Sequence, residues 1–179
     1  LNIQQAIHQE CEGRKREALR RLILQLQDDI SSLERCRKPV IAAIHGACIG
    51  GGIDLVTAAD IRFASADAYF AVREIDMGMT ADVGTLQRLP RIVGEGVARE
   101  LCLTGRRIDA AEAAQLKLVN QVFDSQDALL AHARQVAASI ASKSPLAVRG
   151  TKQVLNYSRD HSVADSLEYV ANWNAAMLL

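Results

Sequence analysis

The chain has 179 residues, 49% of them hydrophobic, and its 21 basic and 21 acidic side chains cancel to a formal net charge of zero. That length suits one domain with a sizeable core. The neutral balance offers no basic excess for nucleic acid or an anionic membrane, and the apolar runs stop well short of a membrane span.

Leu1 stands where an initiating Met would, and no charged leader with an apolar segment and cleavage site follows, so the chain is expected to start downstream of translation initiation. Residues 3–35 read as one long helix or two in series. Leu19, Leu22, Ile23, Leu26, Ile30 and Leu33 recur at mostly three- and four-residue spacing. His8 to Arg16 is more polar and reads as a loop or frayed turn, with Arg14-Lys15-Arg16 as a solvated face or, alternatively, a phosphate contact.

Pro39 marks the helix exit. Val40 to Ile44 reads as a strand buried on both faces, as parallel sheets require. It runs into His45-Gly46 and then Gly50-Gly51-Gly52, after which Ile53 to Ala59 is helical. Ile61 to Ala64 and Tyr69 to Val72 are short strands, joined by a turn in which Asp67 is expected to bond its own backbone. Asp82 to Val93 is helical, with a bend or break expected at Pro90.

Val97 to Leu103 is a short helix ended by Gly105, and Asp109 with Glu112 has capping-box spacing for a helix to about Leu116. Val119 to Phe123 is a brief strand, and Ser125 to Ala141 a helix with Leu129, Leu130, Ala133, Val136 and Ile140 inward. Pro145 opens the next helix and Ser162 caps the last, which carries Leu167, Val170, Trp173 and Leu178.

Four cysteines, at 11, 36, 48 and 102, form no C-x-x-C pair and match no histidine spacing. Zinc and a disulfide frame are therefore disfavoured, and reduced thiols in an intracellular compartment are expected. Cys48, in the glycine turn, is either a reactive thiol or a small residue filling a tight bend.

A strand delivered into a glycine turn and a helix start presents backbone N–H groups that have no intrahelical partner. Such a donor can hold an oxygen on which negative charge develops; the same turn can also be mere architecture, and spacing alone leaves both readings open. Nucleotide motifs do not fit: Gly46-x-x-x-Gly50-Gly51-Gly52 is not G-x-G-x-x-G, no Lys-Ser/Thr follows for a P-loop, and no G-x-S-x-G elbow is present. Three carboxylates lie on or near the turn: Asp54, Glu74 and Asp82. Asp54 alone is explained by the helix dipole and the others by solvent exposure. Two carboxylates held near an oxyanion site would form a proton-transfer pair.

Lys38-Pro39-Val40-Ile41-Ala42-Ala43-Ile44-His45-Gly46, Gly50-Gly51-Gly52 and Ala59-Asp60-Ile61-Arg62 resemble the core of the enoyl-CoA hydratase/isomerase (crotonase) superfamily. Gly84 to Gly94, Leu103-Thr104-Gly105-Arg106, Leu118-Val119 and Lys143-Ser144-Pro145 continue the resemblance in order. Hydratases of that superfamily carry Glu where this chain has Asp54, a Glu matching Glu74, and typically Gly at the place of Asp82. The Asp, Glu, Asp combination resembles the Δ3,5-Δ2,4-dienoyl-CoA isomerases, as do Ala81 to Pro90 and Tyr157 to Val163.

The resemblance implies an α/β fold, a ClpP/crotonase-like spiral of short strands and helices. It implies one domain over 1–179, expected to be truncated at both ends and to lack the family's N-terminal strands, with a core at 38–123 and a helical part at 124–179. It also implies a Gly51 N–H that holds the thioester oxygen, Glu74 as base beside the carbonyl, Asp82 as proton donor at the far end of the diene, and Asp54 orienting or polarising them. No metal or redox cofactor is expected; coenzyme A belongs to the substrate. An acyl-CoA partner and a homotrimer or homohexamer are implied, in a mitochondrial or peroxisomal matrix of a eukaryote or the cytoplasm of a bacterium. The family's second oxyanion donor lies in strands that do not precede Leu1 here, so the 179 residues alone are expected to be weakly active or inactive. Hydration of 2-enoyl-CoA is the alternative reaction, and a non-catalytic RNA-binding or scaffold member the alternative from another class.

Overall fold

The computed structural model describes residues 11–177, as two small sheets wrapped by helices. Helix α1 (Glu12–Arg35) leads into β1 (Ile41–Ile44), β2 (Ala47–Ile49), α2 (Gly51–Thr57), β3 (Ile61–Ser65) and β4 (Tyr69–Ala71). A 3₁₀ turn (Glu74–Met77) precedes α3 (Thr85–Val93), α4 (Glu95–Thr104), β5 (Ile108–Asp109), α5 (Ala110–Gln115) and β6 (Gln121–Phe123). Helices α6 (Gln126–Ala141), α7 (Pro145–Ser158) and α8 (Val163–Met177) close the chain.

The first sheet runs β1-β3-β6, all parallel, with Ile41 opposite Ile61 and Phe63 opposite Gln121. The second runs β2-β4-β5, with β2 parallel and β5 antiparallel to β4. The chain turns the same corner twice, leaving the first sheet for the second after β1 and again after β3. The two corners are stitched where the Tyr69 N–H donates to the Gly46 carbonyl at 2.9 Å. Repeating one corner stacks successive passes, which is the spiral expected from the sequence. One core fills the space between the second sheet and α2–α5, around Ile53, Phe70, Leu89, Leu101, Ile108 and Leu118. Helix α6 covers the first sheet, with Leu129 fully buried and His132 against the rings of Phe63 and Phe123.

Several expectations hold as stated. The Asp109 carboxylate accepts from the Glu112 N–H at 2.8 Å and caps α5, and Ser162 accepts from the Asp165 N–H at the start of α8. The Asp67 carboxyl is held below its ordinary range by the Ser65 hydroxyl first, and also by its own backbone N–H.

Others need correction. Glu12 to Arg16 is helical rather than a loop, and residues 3–10 lie outside those described. Lys15 pairs with Glu12 at 2.8 Å on an exposed face, in keeping with the solvated reading of that charge run. Pro90 does not break α3, which starts at Thr85 and runs to Val93. The proline removes a single intrahelical donor near the end of a short helix, and its own carbonyl still accepts from Gly94 at 2.9 Å. Strand β1 is half-buried except at Ile44, because among the described residues it is paired on one side only.

The Ala59-Asp60-Ile61-Arg62 motif serves the fold. Asp60 Oδ2 accepts from the Val40 N–H and from Lys152 Nζ, both at 2.7 Å. The same ammonium, only 7% exposed, also donates to the carbonyls of Leu33 and Lys38 and so ties α7 to the end of α1 and the entry of β1. Arg62 donates to the carbonyls of Leu118 and Ala59.

A second charged cluster joins α1 to α3. Glu34 accepts from Arg88 at 2.9 Å and pairs with Arg159, with the Arg88 side chain 13% exposed. Burial raises the Glu34 carboxyl, but the Arg88 hydrogen bond and the charges of Arg159 and Arg88 outweigh it and leave it below the ordinary 4.5. A carboxyl depressed in the folded state stabilises the fold fully above its unfolded value, and that contribution fades as pH falls through the folded value. Glu34→Gln is therefore expected to cost about 1–2 kcal/mol at pH 7, between exposed and buried ion pairs. Thermal melts should show that penalty shrinking steadily below pH 4.5.

Candidate active site

Helix α2 begins at the glycine turn. Gly50 has φ +54°, its N–H donates to Ala71, and its carbonyl accepts from Ile53 at 2.7 Å. The Gly51 N–H is one of the first-turn donors that no intrahelical acceptor reaches, and Gly51 is exposed. A Cβ on Gly50 would sit 3.1 Å from Glu74 Oε1, so positive φ and close approach of the carboxylate both call for glycine.

Asp54 and Glu74 are buried, at 1% and 8% exposure. Asp54 does not cap its own helix. Its Oδ1 reaches across to α3 and accepts from the Thr85 N–H at 2.6 Å and the Thr85 hydroxyl at 2.7 Å. Its Oδ2 and Glu74 Oε2 are the buried side-chain polar atoms left without a hydrogen-bond partner among the described residues. A bare buried carboxylate oxygen is costly. Both residues lie close to the glycine turn, Glu74 directly against Gly50. The half-buried Cys102 thiol senses both: burial pushes it up first, then the negative charges of Glu74 and Asp54. Cys48, by contrast, is pushed up to about 12 by burial alone, with Sγ 3.3 Å from the place of a Gly52 Cβ. It fills the bend.

Asp82 is half-buried and lies three residues ahead of the Thr85 that holds Asp54. It borders a polar cleft of about 380 Å³ that also includes Gln27, Ser31 and Glu34 of α1 and Arg88 of α3. Its carbonyl accepts from Gln27 Nε2 at 2.6 Å. The structure thus brings Asp54 and Glu74 together at the turn, with Asp82 on the segment that links them to α1. Sequence reasoning missed Thr85, Cys102 and Gln27. Thr85 lies within the Gly84 to Gly94 stretch, but nothing local announces a contact 31 residues from Asp54.

Among the described residues no cluster of three or more His, Cys, Asp or Glu side chains is arranged to hold a metal ion. No described helix is long and apolar enough to cross a membrane.

The family model described as enoyl-CoA hydratase/isomerase matches residues 4–177. The chain belongs to the enoyl-CoA hydratase/isomerase family. It is 56% identical, over 93% of its own length and 60% of the relative's, to a peroxisomal Delta(3,5)-Delta(2,4)-dienoyl-CoA isomerase of Arabidopsis thaliana. It is 55% identical, over 89% of its length and 49% of the relative's, to the mitochondrial Delta(3,5)-Delta(2,4)-dienoyl-CoA isomerase of Homo sapiens. A solved structure of a putative enoyl-CoA hydratase from Thermobifida fusca, in complex with acetoacetyl-CoA, superposes with a TM-score of 0.86 at 34% identity, covering 90% of this chain and 63% of that one. The chain therefore spans about half to three-fifths of the length of the curated relatives it matches. The crotonase-type α/β fold read from the sequence is the fold of the family.

Proposed function

We propose that the protein carrying this chain converts 3,5-dienoyl-CoA to 2,4-dienoyl-CoA in fatty-acid β-oxidation. The observation that carries this reading is the pair of bare buried carboxylate oxygens, on Asp54 and Glu74, at the glycine turn of a chain with an aspartate at 82. The names of relatives at 55–56% identity favour the same reaction.

In this mechanism the thioester oxygen accepts from the Gly51 N–H. Glu74 removes a proton from C2, the carbon beside the carbonyl, and the electron pair spreads along the conjugated chain as a trienolate. A preorganised donor of that kind contributes about 2.7–4 kcal/mol to the transition state. Asp82, entering the cycle protonated, delivers its proton to C6 at the far end of the conjugated system. One proton leaves the substrate and one arrives, so its composition is unchanged, and no electron leaves it. The reaction needs neither metal nor redox cofactor. Two acid–base groups are required because C2 and C6 lie too far apart for one carboxylate. Asp54, anchored by Thr85, orients and polarises the site through its free oxygen.

The same reading makes an acyl-CoA thioester the partner and has the protein act as a homotrimer or homohexamer. Leu155, Val163 and Leu167, each more than 60% exposed on or beside α7 and α8, offer apolar surface for such contacts. A mitochondrial or peroxisomal matrix is the proposed setting in a eukaryote, and the cytoplasm in a bacterium. The test is to offer the natural full-length protein 3,5-dienoyl-CoA and 2-enoyl-CoA in parallel. Rapid appearance of the 2,4-diene's absorbance with slower hydration is expected. Fast hydration without the 2,4-diene would make the protein a hydratase.

A further inference from the structure

Gln27, Ser31 and Glu34 are spaced four and three residues apart and form one polar stripe of α1. All three meet the segment from Asp82 to Arg88. Gln27 Nε2 donates to the Asp82 carbonyl at 2.6 Å. The Arg88 guanidinium bonds the Ser31 hydroxyl at 2.9 Å and Glu34 Oε2 at 2.9 and 3.1 Å. Gly84, between them, has φ +136°, and a Cβ there would fall 1.9 Å from Arg88 Nη1, so the turn closes directly onto the held guanidinium. The Asp82 carboxylate itself has no hydrogen-bond partner among the described residues; the contact on this residue is to its carbonyl.

We propose that Gln27 is a positioning residue for proton delivery by Asp82. Its amide anchors the Asp82 backbone from 55 residues away, while Arg88, clamped to Ser31 and Glu34, anchors the other end of the same turn. The inference rests on the proposed isomerisation and deepens it. Removal of the C2 proton belongs to Glu74 and owes nothing to this contact; delivery at C6 depends on it. Losing the amide donor leaves the Asp82 carbonyl without its protein partner and lets the carboxylate drift, and an ångström of misplacement is enough to slow a transfer severely.

The experiment compares wild type, Gln27→Met and Gln27→Glu in the natural full-length protein, using 3,5-dienoyl-CoA in deuterated buffer. Isomerisation and washout of the C2 proton are followed separately, with a thermal melt for each variant. Gln27→Met is expected to lose about tenfold in kcat for isomerisation, with KM and C2 exchange within about twofold of wild type. Gln27→Glu should recover activity as pH falls and its carboxyl becomes a donor, giving a pH profile that wild type lacks. If exchange and isomerisation fall together, or neither changes, the contact is structural only and the inference is overturned. If wild type exchanges and isomerises nothing, the proposed isomerisation fails first and takes the inference with it.

Discussion

Glu74→Gln in the full-length protein is expected to lower the rate of 3,5-dienoyl-CoA isomerisation by about 10²–10⁴-fold, the usual range for a positioned acid–base group. The substitution preserves volume at a site that is 8% exposed and crowded against Gly50, so the side chain should stay in place. What changes is the ability to accept a proton. Oε2 is buried with no partner, and a neutral amide is easier to bury than a carboxylate, so the melting temperature should not fall appreciably. Steady-state assays with melts on the same samples check both halves. A variant that keeps more than about a tenth of wild-type rate would remove Glu74 from the chemistry.

Lys152→Met is expected to have the largest effect on stability. The ammonium is 7% exposed and makes three bonds, to Asp60 Oδ2 and the carbonyls of Leu33 and Lys38. Removing one member of a buried pair leaves the other charge uncompensated, which costs about 3–5 kcal/mol when both are fully buried. The Asp60 side chain is 25% exposed and also receives the Val40 N–H, so about 3 kcal/mol is the better figure here. In a domain of this size that is a fall of about 6–12 °C in melting temperature. Adding Asp60→Asn should recover part of the loss, because it removes the stranded charge. Lys143→Met, at an exposed position, should stay within about 0.5 kcal/mol of wild type. Equal effects at 143 and 152 would contradict the structural role given to Lys152.

These two residues mark what was legible in the chain. Local signals carried far: a strand after Pro39, the caps at Asp109 and Ser162, and a helix start at the glycine turn all form where their chemistry suggests. Strand β2 escaped because three residues inside a glycine-rich turn show no usable periodicity. Pro90 misled because a short helix loses little when one donor goes missing late in its course. The carboxylates were found by resemblance, and their setting needed three dimensions. Thr85 to Asp54, Gln27 to Asp82 and Lys152 to Asp60 join residues 31, 55 and 92 positions apart, and no pattern within one element encodes such meetings. Lys152 in particular reads as an ordinary surface cation of an amphipathic helix until its three acceptors are seen.

The division of labour between Glu74 and Asp82 is the central claim, and Asp82→Asn tests it most directly. In deuterated buffer the full-length variant, offered 3,5-dienoyl-CoA, is predicted to wash out the C2 proton at close to the wild-type rate through Glu74 while forming almost no 2,4-diene. Isomerisation by Asp82→Asn at the wild-type rate would contradict that division.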